Sequence, residues 1–152
     1  MFSSAVMAFV HHLAAFALVA TLAIEVALFK PPLTLPQARR LQRVDLLFGL
    51  SAVVVLVVGM LRVRYFEKGP EYYLHDLYFL VKIAAFIIAA LTSIYPTVTY
   101  LSWSKRLVAG AVPEVSATRT ARVRLCLMLE LTAIAVILAC AALMARGFGY
   151  AG

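Results

Sequence analysis

The sequence predicts an all-α fold: an integral-membrane four-helix bundle, N-out/C-out. Three observations lead there. Hydrophobic residues make up 64% of the 152 residues, charged residues only 14%, and the mean hydropathy is +0.97. Soluble domains carry about 45–50% apolar and about 25% charged residues. Four apolar runs each reach the roughly 20 residues that a helix needs to cross a bilayer. The basic residues gather between those runs. A soluble monomer of this composition would leave large apolar patches in water. That excludes an ordinary cytosolic enzyme, a disordered tail and a secreted disulfide scaffold.

The expected layout is one domain over 1–152, with spans at about 3–29, 40–64, 73–103 and 119–146. The first run has no basic leader, is long for a signal peptide and contains His11, His12 and Glu25. It therefore reads as a retained helix. Lys30-Pro31-Pro32 ends it, because proline cannot continue a helix. Thr34-Leu35-Pro36-Gln37 has the pattern of a capping box with proline in the first turn. Arg39, Arg40 and Arg43 place the start of the second helix among headgroups, and Arg62 and Arg64 close its apolar part. Gly69-Pro70 marks a turn. Pro96 is expected to kink the third helix near its far end, and His75 and Asp76 are candidate caps for its start. A polar connection, 104–118, leads to the fourth helix, which ends at Arg146-Gly147.

The formal net charge is +7. Topology and anionic lipid account for it better than nucleic acid does, since the charges flank apolar spans. The first and third connections hold Lys30, Arg39, Arg40, Arg43, Lys105, Arg106, Arg119, Arg122 and Arg124, nine in all. The opposite side holds four: Arg62, Arg64, Lys68 and Arg146. By the positive-inside rule the termini lie outside, which in a bacterium means a multi-pass inner-membrane protein with periplasmic termini. Tyr72, Tyr73, Tyr78, Tyr100 and Trp103 lie near the expected interfaces, as aromatic belts do. Cys126 and Cys140 share one helix, roughly 21 Å apart at 1.5 Å per residue. They cannot pair within the chain and read as small buried side chains.

Ionisable groups at membrane depth are costly and usually face the bundle interior. They are His11, His12, Glu25, Lys82 and Glu130. At 100° per residue, His11 shares a stripe with Ser4, Ala15, Leu18, Leu22 and Glu25, whereas His12 points about 100° away. His75, Lys82, Ala89, Ser93, Pro96 and Tyr100 form a polar or small stripe on the third helix, which should face protein. His11 and Lys82 fall at about the same depth, with Arg62, Arg64 and Arg146 at the same end. A buried haem b wants such a set: an imidazole ligand, an apolar pocket and basic groups for its propionates. His11 is the candidate iron ligand, with His12 as its substitute. Lys82 is a second ligand or a charged neighbour, and Arg62 and Arg146 are candidate propionate partners. The plainer alternative is that His11 hydrogen-bonds a neighbouring helix and Lys82 snorkels.

Glu25 is expected to pair with Lys30 or Arg43. Glu130 reads as an interhelical hydrogen bond or a proton-relay group. The methionines show no clustering of a copper relay, and no Walker loop or zincin motif is present. Faces of small residues, Ala84, Ala85, Ala89 and Ala90 or Ala139, Ala141 and Ala142, are candidates for self-association.

Two resemblances bear on function. The runs 33–41 (LTLPQARRL), 45–50 (DLLFGL), 59–62 (GMLR) and 73–76 (YLHD) through Lys82, with the closing 143–147 (LMARG), together resemble a DUF-type family of small four-helix bacterial inner-membrane proteins. That family has no firmly assigned activity, so the likeness implies fold and location. A fainter likeness is to HemJ-type protoporphyrinogen oxidases and CopD-like proteins, which also place a histidine in the first helix and a lysine in the third. It implies haem b at His11 (or His12) and Lys82, an arginine at Arg62, and oxidation of a porphyrin-like or quinone substrate or electron transfer. The tryptophan of the HemJ pattern, four residues before the lysine, is Tyr78 here. The competing expectation is a non-enzymatic assembly factor, or a small transporter or copper-handling subunit, without haem.

Overall fold

The computed structural model describes residues 2–67 and 69–149. Lys68, counted in the charge asymmetry, lies outside the described residues. The elements are α1 (Phe2–Leu28), α2 (Leu35–Leu61) with a π-helical turn at Arg62–Phe66, α3 (Pro70–Leu74), α4 (Leu77–Leu101), α5 (Ser104–Val108) and α6 (Ala117–Ala145). No strand occurs among the described residues. Four helices are long and apolar enough to cross a membrane.

Local chemistry sets the helix ends. Thr34 Oγ1 accepts from the Gln37 amide at 3.4 Å, and Gln37 Oε1 accepts from the Thr34 amide at 2.9 Å. This reciprocal capping box starts α2 at Leu35, as the sequence pattern predicts, a few residues ahead of the membrane span expected from 40. The third span, expected to be continuous from 73, is broken instead. Asp76 has extended backbone (φ −100°, ψ 112°) and its carboxylate accepts from the Tyr78 and Phe79 amides. It is therefore the N-cap of α4, and Pro70–Leu74 is left as a separate turn of helix. Gly69 takes φ +88° in the turn, and Pro70 opens α3. At the other end α4 runs on through Pro96 to Leu101. Ser116 caps α6 through the Arg119 amide.

The four long helices form a square. Helices α1 and α2 pack intimately along their lengths, as do α4 and α6, whereas the contacts α1–α6 and α2–α4 that join the two pairs are sparse. Ala85 and Ala89 of α4 meet Ala133 of α6. Small side chains let the backbones approach, as membrane helices require when burial from water supplies no driving force. Ala85 and Ala89 are thus used inside the chain, a correction to their expected role in self-association.

The large buried side chains concentrate at one end. Leu22, Leu41, Phe48, Tyr100, Trp103 and Leu127 belong to one cluster near the 29–34 and 102–116 connections. In the half that carries the termini, most of the buried apolar residues are small (Ala14, Val58, Ala85, Ala133 and Cys140), with Ile134 buried beside them. Tyr100 and Trp103 are in the core and not in an interfacial belt. Phe9, Phe16, Leu50, Val53, Ile88 and Leu91 are exposed on the outside, where acyl chains would cover them.

Candidate functional site

Two polar layers cross the bundle. The first lies in the termini half. His11 of α1 is half-buried and turned toward α2, where a Cβ on Gly59 would meet its Cε1 at 3.2 Å. Its ring interacts with the Val55 backbone of α2 as a hydrogen-bond donor, as the plainer reading of His11 expects, although buried Nδ1 has no close, well-aligned partner. Arg62 and Lys82 both act electrostatically on this ring. Lys82 in turn is close enough to interact with Arg62, Asp76 and the Cys140 thiol of α6, and its Nζ sits 5.8 Å from the centroid of the Phe79 ring. All four long helices therefore contribute to this layer.

The expected set is brought together only in part. His11, Lys82 and Arg62 converge. Arg62 is already engaged, through a 2.6 Å ion pair with Glu67. His12 points outward, with Nδ1 2.6 Å from the Ala8 carbonyl of its own helix. Arg146 is exposed at the C-cap of α6, with no side-chain hydrogen bond or ion pair among the described residues. Sequence reasoning passed over Cys140 as a mere space-filler, although its burial opposite Lys82 makes it a member of the layer.

The second layer lies in the half next to the 29–34 and 102–116 connections. Glu25 (α1) and Glu130 (α6) are each 1% exposed, Asp45 (α2) is 7% exposed and Tyr100 (α4) is fully buried. The three carboxyls share an electrostatic neighbourhood. Thr97 Oγ1 donates to Asp45 Oδ1 at 2.7 Å. Glu25 Oε1, Glu130 Oε1, the Tyr100 hydroxyl and Trp103 Nε1 have no partner. The expected pairing of Glu25 with Lys30 or Arg43 does not form: both cations are exposed, and the ion pair found among the described residues is Arg62–Glu67. Glu25 lies on the inward stripe with Leu18 and Leu22, which turns it away from surface cations. Asp45 was missed as a site residue, although its spacing was readable. Ala38, Leu41, Asp45 and Phe48 recur at helical intervals and are all buried.

Among the described residues, no group of three or more His, Cys, Asp or Glu side chains is spaced to hold a metal ion. A cavity of about 350 Å³ is lined by Arg39, Gln42, Arg43, Ser104, Leu107 and Val108, at the end away from His11.

A square of four apolar helices with ionisable layers inside and an apolar exterior defines a polytopic helical membrane protein. The chain belongs to the family described as "Predicted membrane protein (DUF2214)", whose model matches residues 3–149. No curated protein and no solved structure matches it.

Proposed function

We propose that this protein is a b-type haem-binding membrane protein with a redox role, its site at the His11–Lys82 layer. The observation that carries the reading is the half-buried His11 ring, turned to the interior beside a lysine and an arginine, with no close, well-aligned hydrogen bond at Nδ1 and its contact to the Val55 backbone as the competing use of the ring. Buried polar atoms are nearly always paired, and an orphan asks what it is there to bind. Gly59 keeps space beside the imidazole. His11 and, from the opposite helix pair, Lys82 would hold the haem iron, and Arg62 would pair with a propionate in place of Glu67. Arg146, exposed at the same end, would be a second propionate partner. Bound there, haem would supply one-electron exchange.

Room for the macrocycle would come from the seam between the α1/α2 and α4/α6 pairs. That seam is sparsely packed, and apart from Ile134 its buried apolar residues in this half are small. The protein's own side chains exclude water, hold the imidazole against α2 and present positive charge at one end. In this reading the protein lies in a bacterial inner membrane with periplasmic termini, and a porphyrin-like or quinone substrate approaches from the lipid. A second copy would pack through small residues left exposed, such as Ala84, Ala139 and Ala142.

An absorption spectrum of the detergent-purified protein, made with haem supplied, tests the reading. The expected result is a Soret band that His11→Ala abolishes and His12→Ala leaves in place. Absence of the band, or a band indifferent to His11, overturns it and leaves a non-enzymatic membrane component.

A further inference from the structure

The carboxyl layer has a different chemistry, and it stands whether or not haem binds. Glu25, Asp45 and Glu130 come from three helices and meet in an interior screened from water. An ionised group in such a place needs a positive partner. None of the three forms an ion pair with Lys or Arg among the described residues, and no ligand set there is spaced for a metal ion. The remaining positive partner is a proton.

Independent support comes from Tyr100, which is not one of the acids. It is fully buried, its hydroxyl has no partner, and it interacts with all three carboxyls. The layer therefore holds a group able both to donate to and accept from a carboxyl, with nothing else assigned to it. The nearest open cavity lies on the same side of the bundle. Gln42, one helical turn from Asp45, lines the open cavity with Arg39 and Arg43. Its Nε2 donates to the Tyr100 carbonyl at 2.6 Å and to Ser104 Oγ at 3.1 Å. Gln42 thus touches both the cavity and the backbone of the residue whose hydroxyl faces the layer.

We propose that Glu25, Asp45 and Glu130 form a proton-exchange site, reached through the cavity beside Gln42, with the Tyr100 hydroxyl linking the three carboxyls. Uptake turns one carboxylate into a carboxylic acid and release reverses it, with no electron transferred. The groups facing the site are Glu25 from α1, Asp45 from α2 with Arg39 and Arg43 on the cavity wall, Tyr100 from α4, and Glu130 and Cys126 from α6.

Infrared difference spectra of the full-length protein between two pH values test this. The expected result is a carboxylic-acid carbonyl band that changes with pH and shifts in heavy water. Glu25→Gln and Glu130→Gln should each remove part of it. Tyr100→Phe, which deletes only the hydroxyl, should move its frequency, and Gln42→Leu should slow its exchange in heavy water. Size-exclusion profiles show which variants fold. If the Gln variants do not, the Tyr100→Phe and Gln42→Leu spectra decide the matter alone. A spectrum with no band sensitive to these residues overturns the proposal. So does a stoichiometric metal ion that is lost in Glu130→Gln. A colourless protein would end the haem reading and leave this one untouched.

Discussion

Gly59 shows how one missing methyl governs a site. A Cβ there would press on His11 Cε1 at 3.2 Å, closer than ordinary van der Waals contact, so the ring must give way. Gly49, on the same helix, has open space at the same position. Gly59→Ala is therefore expected to lose about 1 kcal/mol or more through overpacking, and Gly49→Ala to gain up to about 1 kcal/mol from helix propensity. Reversible unfolding in mixed detergent micelles measures both. Equal effects at the two positions would show that the His11 contact imposes no constraint. The choice of His11 over His12 was legible from helical phase, because Leu18, Leu22 and Glu25 mark the inward stripe. Gly59 was not legible as a packing partner, since its role depends on which helix lies opposite.

At the scale of elements, local chemistry was legible wherever it was complete within a few residues. Thr34 and Gln37 are three apart, and both halves of their capping box form. The break before α4 was harder to see, because helix-compatible residues run on both sides of Asp76 and the carboxylate alone decides the start. Removing it in Asp76→Ala leaves the Tyr78 and Phe79 amides without their acceptor, at a cost of about 1 kcal/mol. The C-terminal segment reinforces that start. The Gly149 carbonyl accepts from the Leu77 amide at 3.0 Å, and its backbone has φ +102°. A Cβ there would fall 2.5 Å from Tyr78 Cδ2 and 2.6 Å from Asp76 Oδ1. Gly149→Ala is thus expected to undock the segment and speed hydrogen exchange at the Leu77 amide. Unchanged protection of that amide would refute the docking. Tyr100 and Trp103 show the converse limit. Their position at a helix end suits an interfacial belt, and only the neighbours Phe29, Leu107 and Val123 reveal that the end is capped by protein.

At the scale of the whole molecule, the hydropathy pattern specified four helices, while the uneven joining of the pairs came from side chains distant in sequence. Sidedness is testable directly. With Cys126 and Cys140 replaced, a cysteine at exposed Val112 is expected to react with an impermeant maleimide only after lysis, and one at exposed Glu71 in intact spheroplasts. The reverse pattern would invert the charge argument. The joining of the pairs has a sharper consequence. Thr97 to Asp45, Gln42 to the Tyr100 carbonyl and Arg39 to the Leu107 carbonyl all tie α2 to α4 or α5, and all lie at the same end as the Phe29–Tyr100 ring contact. The termini half has no such hydrogen bond between pairs in the described residues. A chain split after Glu67 keeps each pair whole, so the two fragments are expected to co-purify through that one end. Tyr100→Ala empties the fully buried centre of the joint, where loss of an aromatic side chain costs about 3–5 kcal/mol, and should abolish co-purification. His11→Ala, at the loosely joined end, should not. If both substitutions separate the fragments equally, the two ends hold the bundle alike, and the seam proposed for a cofactor would be no more open than the rest.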